Sequence, residues 1–346
     1  MKKVIILSCS TGQGHNSCAQ AIKEYFEQKN ISCTICDALD FISKGFADFI
    51  SWGHSYMYRK IPGLFKWGYR YSEAHAAVFN KNSGVYKLLV SGTERIYSCI
   101  VDGQYDTVIC THVFSAIILT HLLKHHKLNA NTAFVATDYT YYPGMEACDL
   151  DSYFIADQSL IEEYVKCGIP RCRIIPTGIP VSRDFLKKEE KEEAKKLLQI
   201  DKRNRHLLVM CGSMGCGPIR ILMKHLVKGL TEDTEISVIC GTNKRLYKQL
   251  SDRYGKNRNI HIIGYTDRLS LYMDSADLYL TKPGGISVTE AAAKHLPMLF
   301  INAVAGCEQY NMDFFVQRHA AVTARPPKLL AQKATRLLGS DADRKS

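Results

Sequence analysis

Nothing in this 346-residue chain approaches the roughly 20 consecutive apolar residues that a membrane-spanning helix needs. The apolar start, Val4-Ile5-Ile6-Leu7, is too short for a signal-peptide core and runs directly into a glycine-rich loop. It therefore reads as a first β-strand of a cytoplasmic protein. Low-complexity tracts are missing, and hydrophobic residues at 46% against charged residues at 23% exclude wholesale disorder. Cysteine itself is not scarce, at 13, but paired ligand spacing is: Cys33 and Cys36 have no matching second pair, and Cys167 and Cys172 flank a Gly-Ile-Pro turn. Buried, reduced thiols are expected, and no metal site. Acidic residues are in deficit, 34 Asp and Glu against 45 Lys and Arg, which leaves a net charge of +11.

That deficit is local. Residues 54–95 carry Arg59, Lys60, Lys66, Arg70, Lys81, Lys87 and Arg95 against Glu73 and Glu94 alone. Both tryptophans, Trp52 and Trp67, lie in the same neighbourhood with Tyr56, Tyr58, Phe65, Tyr69 and Tyr71. Cations mixed with amphipathic rings suit an anionic membrane surface, where rings sit at headgroup level and cations on lipid phosphates. By composition alone the patch suits nucleic acid as well, or a packed aromatic helix with a solvated basic face.

Two glycine-rich loops are the most informative features present. Ser10-Thr11-Gly12-Gln13-Gly14-His15 follows the first strand, and Gly212-Ser213-Met214-Gly215-Cys216-Gly217 follows Leu207-Leu208-Val209-Met210. A strand that ends in glycines and enters a helix exposes backbone N–H groups to a phosphate or a close sugar. One such loop also serves ordinary packing; one in each half suggests a ligand shared by two domains. The length fits two domains of about 150–180 residues each.

Strand and helix alternate throughout, which predicts parallel sheets covered by helices. Strands are expected at Val4–Leu7, Ser32–Asp37, Thr107–Thr111, Thr132–Thr137, Ser152–Ile155 and Arg173–Pro176, with helices at Ser17–Gln28, Ser115–His126 and Leu160–Cys167. A long helical stretch, broken at Pro62-Gly63, is expected from about Phe41 to Ser98. The halves join near Thr177-Gly178-Ile179-Pro180-Val181, giving domains 1–180 and 181–346. Lys187–Leu198 reads as a solvated mixed-charge helix. Further strands are expected at Leu207–Met210, Ile236–Cys240, Ile260–Ile263, Leu278–Thr281 and Met298–Ile301, then one helix at Leu329–Leu338 and a polar end at Asp341–Ser346.

The second half carries a specific series. It runs through Val238-Ile239-Cys240-Gly241-Thr242-Asn243-Lys244, Ile263-Gly264-Tyr265-Thr266-Asp267 and Ser275-Ala276-Asp277. Thr281-Lys282-Pro283-Gly284-Gly285-Ile286-Ser287-Val288-Thr289-Glu290-Ala291 and Ala305-Gly306-Cys307-Glu308-Gln309-Tyr310-Asn311 complete it. This series resembles glycosyltransferase family 28, in its monogalactosyldiacylglycerol synthase and processive diacylglycerol glucosyltransferase branch. Gly12-Gln13-Gly14-His15, Ala136-Thr137-Asp138-Tyr139 and Ile175-Pro176-Thr177-Gly178-Ile179-Pro180 match the same branch, so the resemblance covers almost the whole chain.

The resemblance implies an α/β fold of GT-B architecture, with two Rossmann-like domains whose parallel sheets face an interdomain cleft. It implies inverting, metal-independent transfer of a hexose from UDP-glucose or UDP-galactose to diacylglycerol, with no cofactor. Domain 1–180 would take the lipid acceptor and domain 181–346 the UDP-sugar. Pro283, Gly284, Gly285 and Ser287 would hold the pyrophosphate at a helix start. Glu290 would accept from the ribose hydroxyls, and Gly264 and Tyr265 would offer backbone to uracil. Gly12, Gly14, Gly212, Ser213, Met214, Gly241 and Asn243 would lie near the donor, and Glu308 and Asn311 would read the transferred sugar. Cys307 stands where family members usually carry Gln.

His15 is the expected base, since imidazole titrates near neutrality, with Asp138 as alternative base or orienting carboxylate. Trp52, Arg59, Lys60, Lys66, Trp67 and Arg70 would meet an anionic membrane, with no nucleic-acid partner, at the inner face of the cell membrane. Tyr142 and Met145 replace a family His and Trp, so those acceptor roles do not carry over. The rival readings are an N-acetylglucosaminyltransferase acting on a polyprenyl-linked cell-wall precursor, a UDP-sugar epimerase, and a UDP-sugar sensor without turnover. The family normally ends in helices that cross back onto the first domain, so a shortened clasp is expected.

Overall fold

The computed structural model describes residues 2–10, 12–43, 45–60, 63, 79, 81–215, 217–229, 231–301 and 306–339. The chain divides into two compact units, Met1–Ser182 with Val304–Cys307, and Arg183–Ala303 with Glu308–Ser346.

The first unit runs β1 (Lys3–Ser8), α1 (Gln13–Gln28), β2 (Ser32–Asp37), α2 (Phe46–Lys60), α3 (Gly84–Val90), α4 (Thr93–Asp102), β3 (Thr107–Cys110) and α5 (Val113–His125). It continues with β4 (Asn131–Val135), β5 (Ser152–Ile155), α6 (Ile161–Lys166) and β6 (Ile174–Pro176). Its six strands among the described residues pair in the order β2-β1-β3-β4-β5-β6, every pair parallel. Both faces of such a sheet are covered, so its inner strand β1 is a continuous apolar run rather than an alternating one. Ile5, Ile6 and Leu7 are accordingly fully buried, as are Ile118 and Leu119 on α5.

Two expectations change in this unit. Helix α1 begins at Gln13, four residues early, because the glycine-rich segment itself takes up helical backbone; Gly14 and His15 therefore sit in the helix. The long helical stretch contains separate helices: α3 ends at Val90, and Gly92 lets the chain turn before α4. A Cβ on Gly92 would lie 2.8 Å from the Phe41 carbonyl, so glycine is what permits the turn to pack there.

The second unit runs α7 (Lys191–Leu197), β7 (Arg205–Met210), α8 (Ile219–Gly229), β8 (Thr234–Ile239), α9 (Lys244–Tyr254), β9 (Ile260–Ile263) and α10 (Leu269–Ser275). Then come β10 (Leu278–Thr281), α11 (Gly285–Ala293), β11 (Met298–Phe300), α12 (Cys307–Gln317), β12 (Ala321–Thr323) and α13 (Pro327–Gly339). Its strand order is β12-β11-β10-β7-β8-β9, again parallel throughout. Strand β12 has three residues and no apolar run to announce it. Helix α13 buries Leu330, Ala331, Ala334 and Leu338 in the same core as Leu207, Val209 and Leu280. The chain after it lies outside the described residues.

Helix α7 is more than a solvated face. Lys191 Nζ lies 3.0 Å from Asp277 Oδ1, and buried Lys195 donates to the Asn204 carbonyl at 2.6 Å with Asp277 Oδ2 3.8 Å away. The charge pattern could not show this, because the partner is 86 residues later, at the amino end of β10. Asp277 Oδ2 also accepts from the His206 backbone N–H at 2.9 Å. Although burial opposes it, that donation and the Lys191 ammonium hold the Asp277 carboxyl below its ordinary value.

His206, on β7, is fully buried. Ser275 Oγ donates to the Tyr272 carbonyl, so it accepts from His206 Nδ1–H at 2.9 Å, and Nε2 accepts from Ser237 Oγ at 2.9 Å. Both ring nitrogens are thus satisfied by a neutral imidazole. Burial, then the Lys195 ammonium, pushes this histidine down to about 3. An unfolded histidine takes up its proton near pH 6.5. Between these values the unfolded state binds a proton that the folded state refuses, so the stabilisation is whole above pH 6.5 and lost as pH falls towards 3. Denaturant titration from pH 7 to 3 should show wild type losing about 4 kcal/mol more than His206→Gln. Equal pH slopes would remove His206 as the cause.

Candidate functional site

In an open parallel sheet the ligand crevice forms at the carboxyl ends of the two strands where strand order reverses, because the helices after them leave to opposite sides. In the second unit those strands are β7 and β10, paired from Leu207↔Leu278 to Met210↔Thr281. Both motif loops that the sequence singled out leave from these ends.

After β7, the Gly215 N–H donates to the Gly212 carbonyl at 3.0 Å, with both glycines at positive φ, 68° and 53°. The turn is pressed against the end of β8. A Cβ on Gly215 would lie 2.4 Å from the Cys240 carbonyl oxygen, and one on Gly241 would lie 2.0 Å from the Ser213 oxygen. Asn243 completes the lock: Nδ2 donates to the Gly215 carbonyl at 3.1 Å, and Oδ1 accepts from Leu246 N at 2.9 Å as the cap of α9. Gly241 and Asn243, expected beside the donor, shape the loop that presents half-buried Ser213 and Met214.

After β10, the Gly284 N–H donates to the Lys282 carbonyl at 2.9 Å, and the chain enters α11. No side chain caps this helix at Gly284, whose φ is an ordinary −79°. A Cβ there would meet nothing within 4 Å. Neither conformation nor protein packing calls for glycine at this point, whereas close approach of a ligand to the bare amides does. Beneath the turn, fully buried Asn311 donates to the Pro283 carbonyl at 3.1 Å. Asn311 therefore braces Pro283 from beneath through one amide hydrogen. Ser287 Oγ pairs with Tyr279 Oη at 2.8 Å.

Glu290 is half-buried on α11, and among the described residues its carboxylate has no hydrogen-bond partner. Desolvation raises it to about 8. An acceptor left in that condition suits a ligand that brings hydroxyl donors. Glu308, on the first turn of α12, lies 3.0 Å from Lys282 Nζ. Lys282 was not among the expected site residues; a single lysine at a strand end carries no pattern until the strand order is known. Gly264 and Tyr265 follow β9, with Tyr265 76% exposed.

The first unit repeats the arrangement. Its order reverses between β1 and β3. Gly12, at φ 176°, precedes α1 with no side-chain cap, and a Cβ would again meet nothing within 4 Å. His15 Nδ1 is 2.8 Å from the Thr111 carbonyl, beyond the end of β3. A carbonyl only accepts, so Nδ1 carries the hydrogen and Nε2 is the basic nitrogen. Thr137 Oγ1, beyond β4, is 3.0 Å from the same Nδ1. The His112 ring packs edge-on against His15 at 4.5 Å.

Asp138 is reached through Tyr142, which stands where the family pattern has another residue. The buried Tyr142 hydroxyl accepts from Thr137 N at 2.9 Å, lies 3.0 Å from Thr137 Oγ1, and donates to Asp138 Oδ2 at 3.1 Å. Burial, then the Asp138 charge, raises this phenol well above its ordinary value, so it stays a donor. One hydroxyl thus ties the carboxylate to the threonine that touches His15.

On α2, Phe49, Trp52 and Tyr56 are 64%, 64% and 48% exposed, and Trp52 stacks on Tyr56 at 5.6 Å. Their spacing puts the rings along one side of the helix. The backbone of Arg59 and Lys60 belongs to α2, but their side chains, with Lys66, Trp67 and Arg70, lie outside the described residues. Among the described residues no helix is long and apolar enough to cross a membrane.

Two all-parallel α/β units with open helix starts at their reversal points define the GT-B class. MurG of Acinetobacter baumannii has this fold, with a TM-score of 0.63 at 14% identity, covering 99% of this chain and 94% of that one. Residues 15–181 match the family model described as monogalactosyldiacylglycerol (MGDG) synthase, and residues 206–333 match that of the glycosyltransferase family 28 C-terminal domain. The chain belongs to glycosyltransferase family 28 and is a glycosyltransferase. Similar proteins include the processive diacylglycerol beta-glucosyltransferase of Staphylococcus carnosus, 26% identical over 91% of this chain and 79% of that protein. The protein of the same name from Bacillus cereus is 28% identical over 98% of this chain and 86% of its own length.

Tyr142→Phe keeps the ring and deletes the bridge. It removes the acceptor of Thr137 N and one donor to Asp138, a loss of about 1–3 kcal/mol in thermal unfolding. Transfer activity should fall about tenfold with little change in KM; unchanged kcat would show that the bridge has no bearing on His15.

Proposed function

We propose that this protein transfers a hexose from a UDP-sugar to 1,2-diacylglycerol at an anionic membrane surface, with inversion and without a metal. The observation that carries the reading is the basic His15 Nε2 at one reversal point together with an uncapped helix start at the other, where Glu290 has no hydrogen-bond partner among the described residues. Names of the relatives supply the acceptor class.

The second unit holds the donor. Amides at the start of α11 take the diphosphate, Glu290 accepts from the ribose, and Glu308 faces the sugar. The first unit activates the acceptor. His15 Nε2 removes the proton as the acceptor oxygen bonds to the anomeric carbon from the face opposite the diphosphate. The bond from that carbon to the β-phosphate oxygen breaks, and UDP departs with the electron pair. Charge developing on the phosphate meets amides already oriented towards it, which lowers the barrier without reorganisation. Thr111 and Thr137 hold the imidazole in the tautomer this requires.

Exposed rings on α2 support docking to lipid. Aromatic residues partition to the headgroup layer, and a net charge of +11 draws the protein to anionic membranes.

Transfer from UDP-glucose, UDP-galactose and UDP-N-acetylglucosamine to diacylglycerol in anionic liposomes, followed by lipid chromatography, tests the reading. One hexose donor should give glycolipid, and His15→Ala should cut the rate at least a hundredfold. UDP binding with no glycolipid from any donor would overturn the acceptor assignment. Replacing Phe49, Trp52 and Tyr56 by Ser should weaken co-sedimentation with those liposomes about tenfold while UDP binding is kept; equal co-sedimentation would put the membrane contact elsewhere.

A further inference from the structure

Lys282 has no part in the reading above, yet it occupies the centre of the donor unit's reversal point. It opens the turn after β10, and its stem crosses to the glycine loop after β7. A Cβ on Gly212 would lie 2.6 Å from Lys282 Cε and 3.3 Å from Nζ, so glycine at 212 makes the floor on which this lysine rests. The two loops at the carboxyl ends of β7 and β10 are thereby joined by one cationic side chain.

Its ammonium is 3.0 Å from Glu308 Oε1, with the two side chains 18% and 13% exposed. A pair so largely removed from water has given up most of its hydration, and the mutual attraction offsets that loss. Its position suits exchange better than storage. The uncapped amides of α11 begin three residues after Lys282, and a diphosphate on them would offer the ammonium a more highly charged partner than one carboxylate. A flexible lysine head changes partners by rotation, without moving the backbone.

We infer that Lys282 is a phosphate-binding residue whose ammonium passes from Glu308 to the diphosphate of an incoming nucleoside diphosphate or nucleotide sugar. The inference rests on the donor-site assignment under the proposed function. In the empty protein Glu308 holds the charge in place. Once a diphosphate takes the ammonium, the Glu308 oxygen that held it turns to the hydroxyls of the ligand. As the bond to the anomeric carbon breaks, negative charge accumulates on the phosphate that Lys282 then faces. Glu308 and the diphosphate thus compete for one cation, and the competition fixes the sign of each substitution.

Calorimetric titration of uridine, UMP and UDP into wild type, Lys282→Met, Lys282→Arg and Glu308→Gln tests this. Lys282→Met should weaken UDP ten- to a hundredfold and leave uridine unchanged, and Lys282→Arg should recover part of the loss. Glu308→Gln should tighten UDP several-fold, because the competitor is gone, with uridine again unchanged. Equal weakening of uridine and UDP by Lys282→Met would mean a structural lysine. Weaker or unchanged UDP binding by Glu308→Gln would mean no exchange. Either result overturns the inference and leaves the donor site standing, whereas a wild-type protein that binds uridine and UDP equally overturns both. If Lys282→Met does not fold, the sign of the Glu308→Gln change decides alone.

Discussion

The reversal of strand order in each parallel sheet is the constraint on which the rest depends. Where helices leave to opposite sides of adjacent strands, the strand ends are uncovered, and backbone N–H groups there find no protein acceptor. Both units place a glycine at that point with an ordinary or extended φ and open space where a side chain would go, at Gly12 and Gly284. Polar groups left in this state either meet water or wait for a ligand; His15 and Thr137 gather near one of the two places, Lys282 and Glu308 near the other.

Around them, backbone contacts closer than any side chain allows set the shape. Gly241 sits against the Ser213 carbonyl and Gly215 against that of Cys240, so the loop after β7 is held by the end of β8 rather than by its own sequence. Asn311 fixes the Pro283 turn from below, and Tyr142 binds Asp138 and Thr137 into one group. These are supports for the residues that would touch substrate. At the opposite end of the second sheet, Asp277 and His206 join α7, β7 and β10 through fully used polar groups. Strength at the amino ends and openness at the carboxyl ends divide the labour of the sheet.

Much of this was legible in the chain. Apolar runs gave the strands, and both glycine loops stand where the sequence put them, at strand ends that lead into helices. Less legible were residues whose role depends on a distant partner. Lys195 read as one charge on a solvated helix because Asp277 lies in a different part of the sequence. Asn243 and Asn311 gave no sign of the backbone carbonyls they hold, Gly215 and Pro283, because each lies 28 residues away. Strand β12 is three residues long, too short for any periodicity to register.

The sequence by itself determined the alternation of strand and helix, the two glycine loops and the family motifs, because each is a local pattern of residue types. Only the tertiary structure decided the order of strands, and with it which loops flank the reversal points. That order brought Thr111 and Thr137 to His15, laid Lys282 across Gly212 and set Glu308 against its ammonium. The reason is physical: periodicity reports which face of an element is buried, but a hydrogen bond or ion pair between residues tens of positions apart exists only once packing has fixed the distance between them.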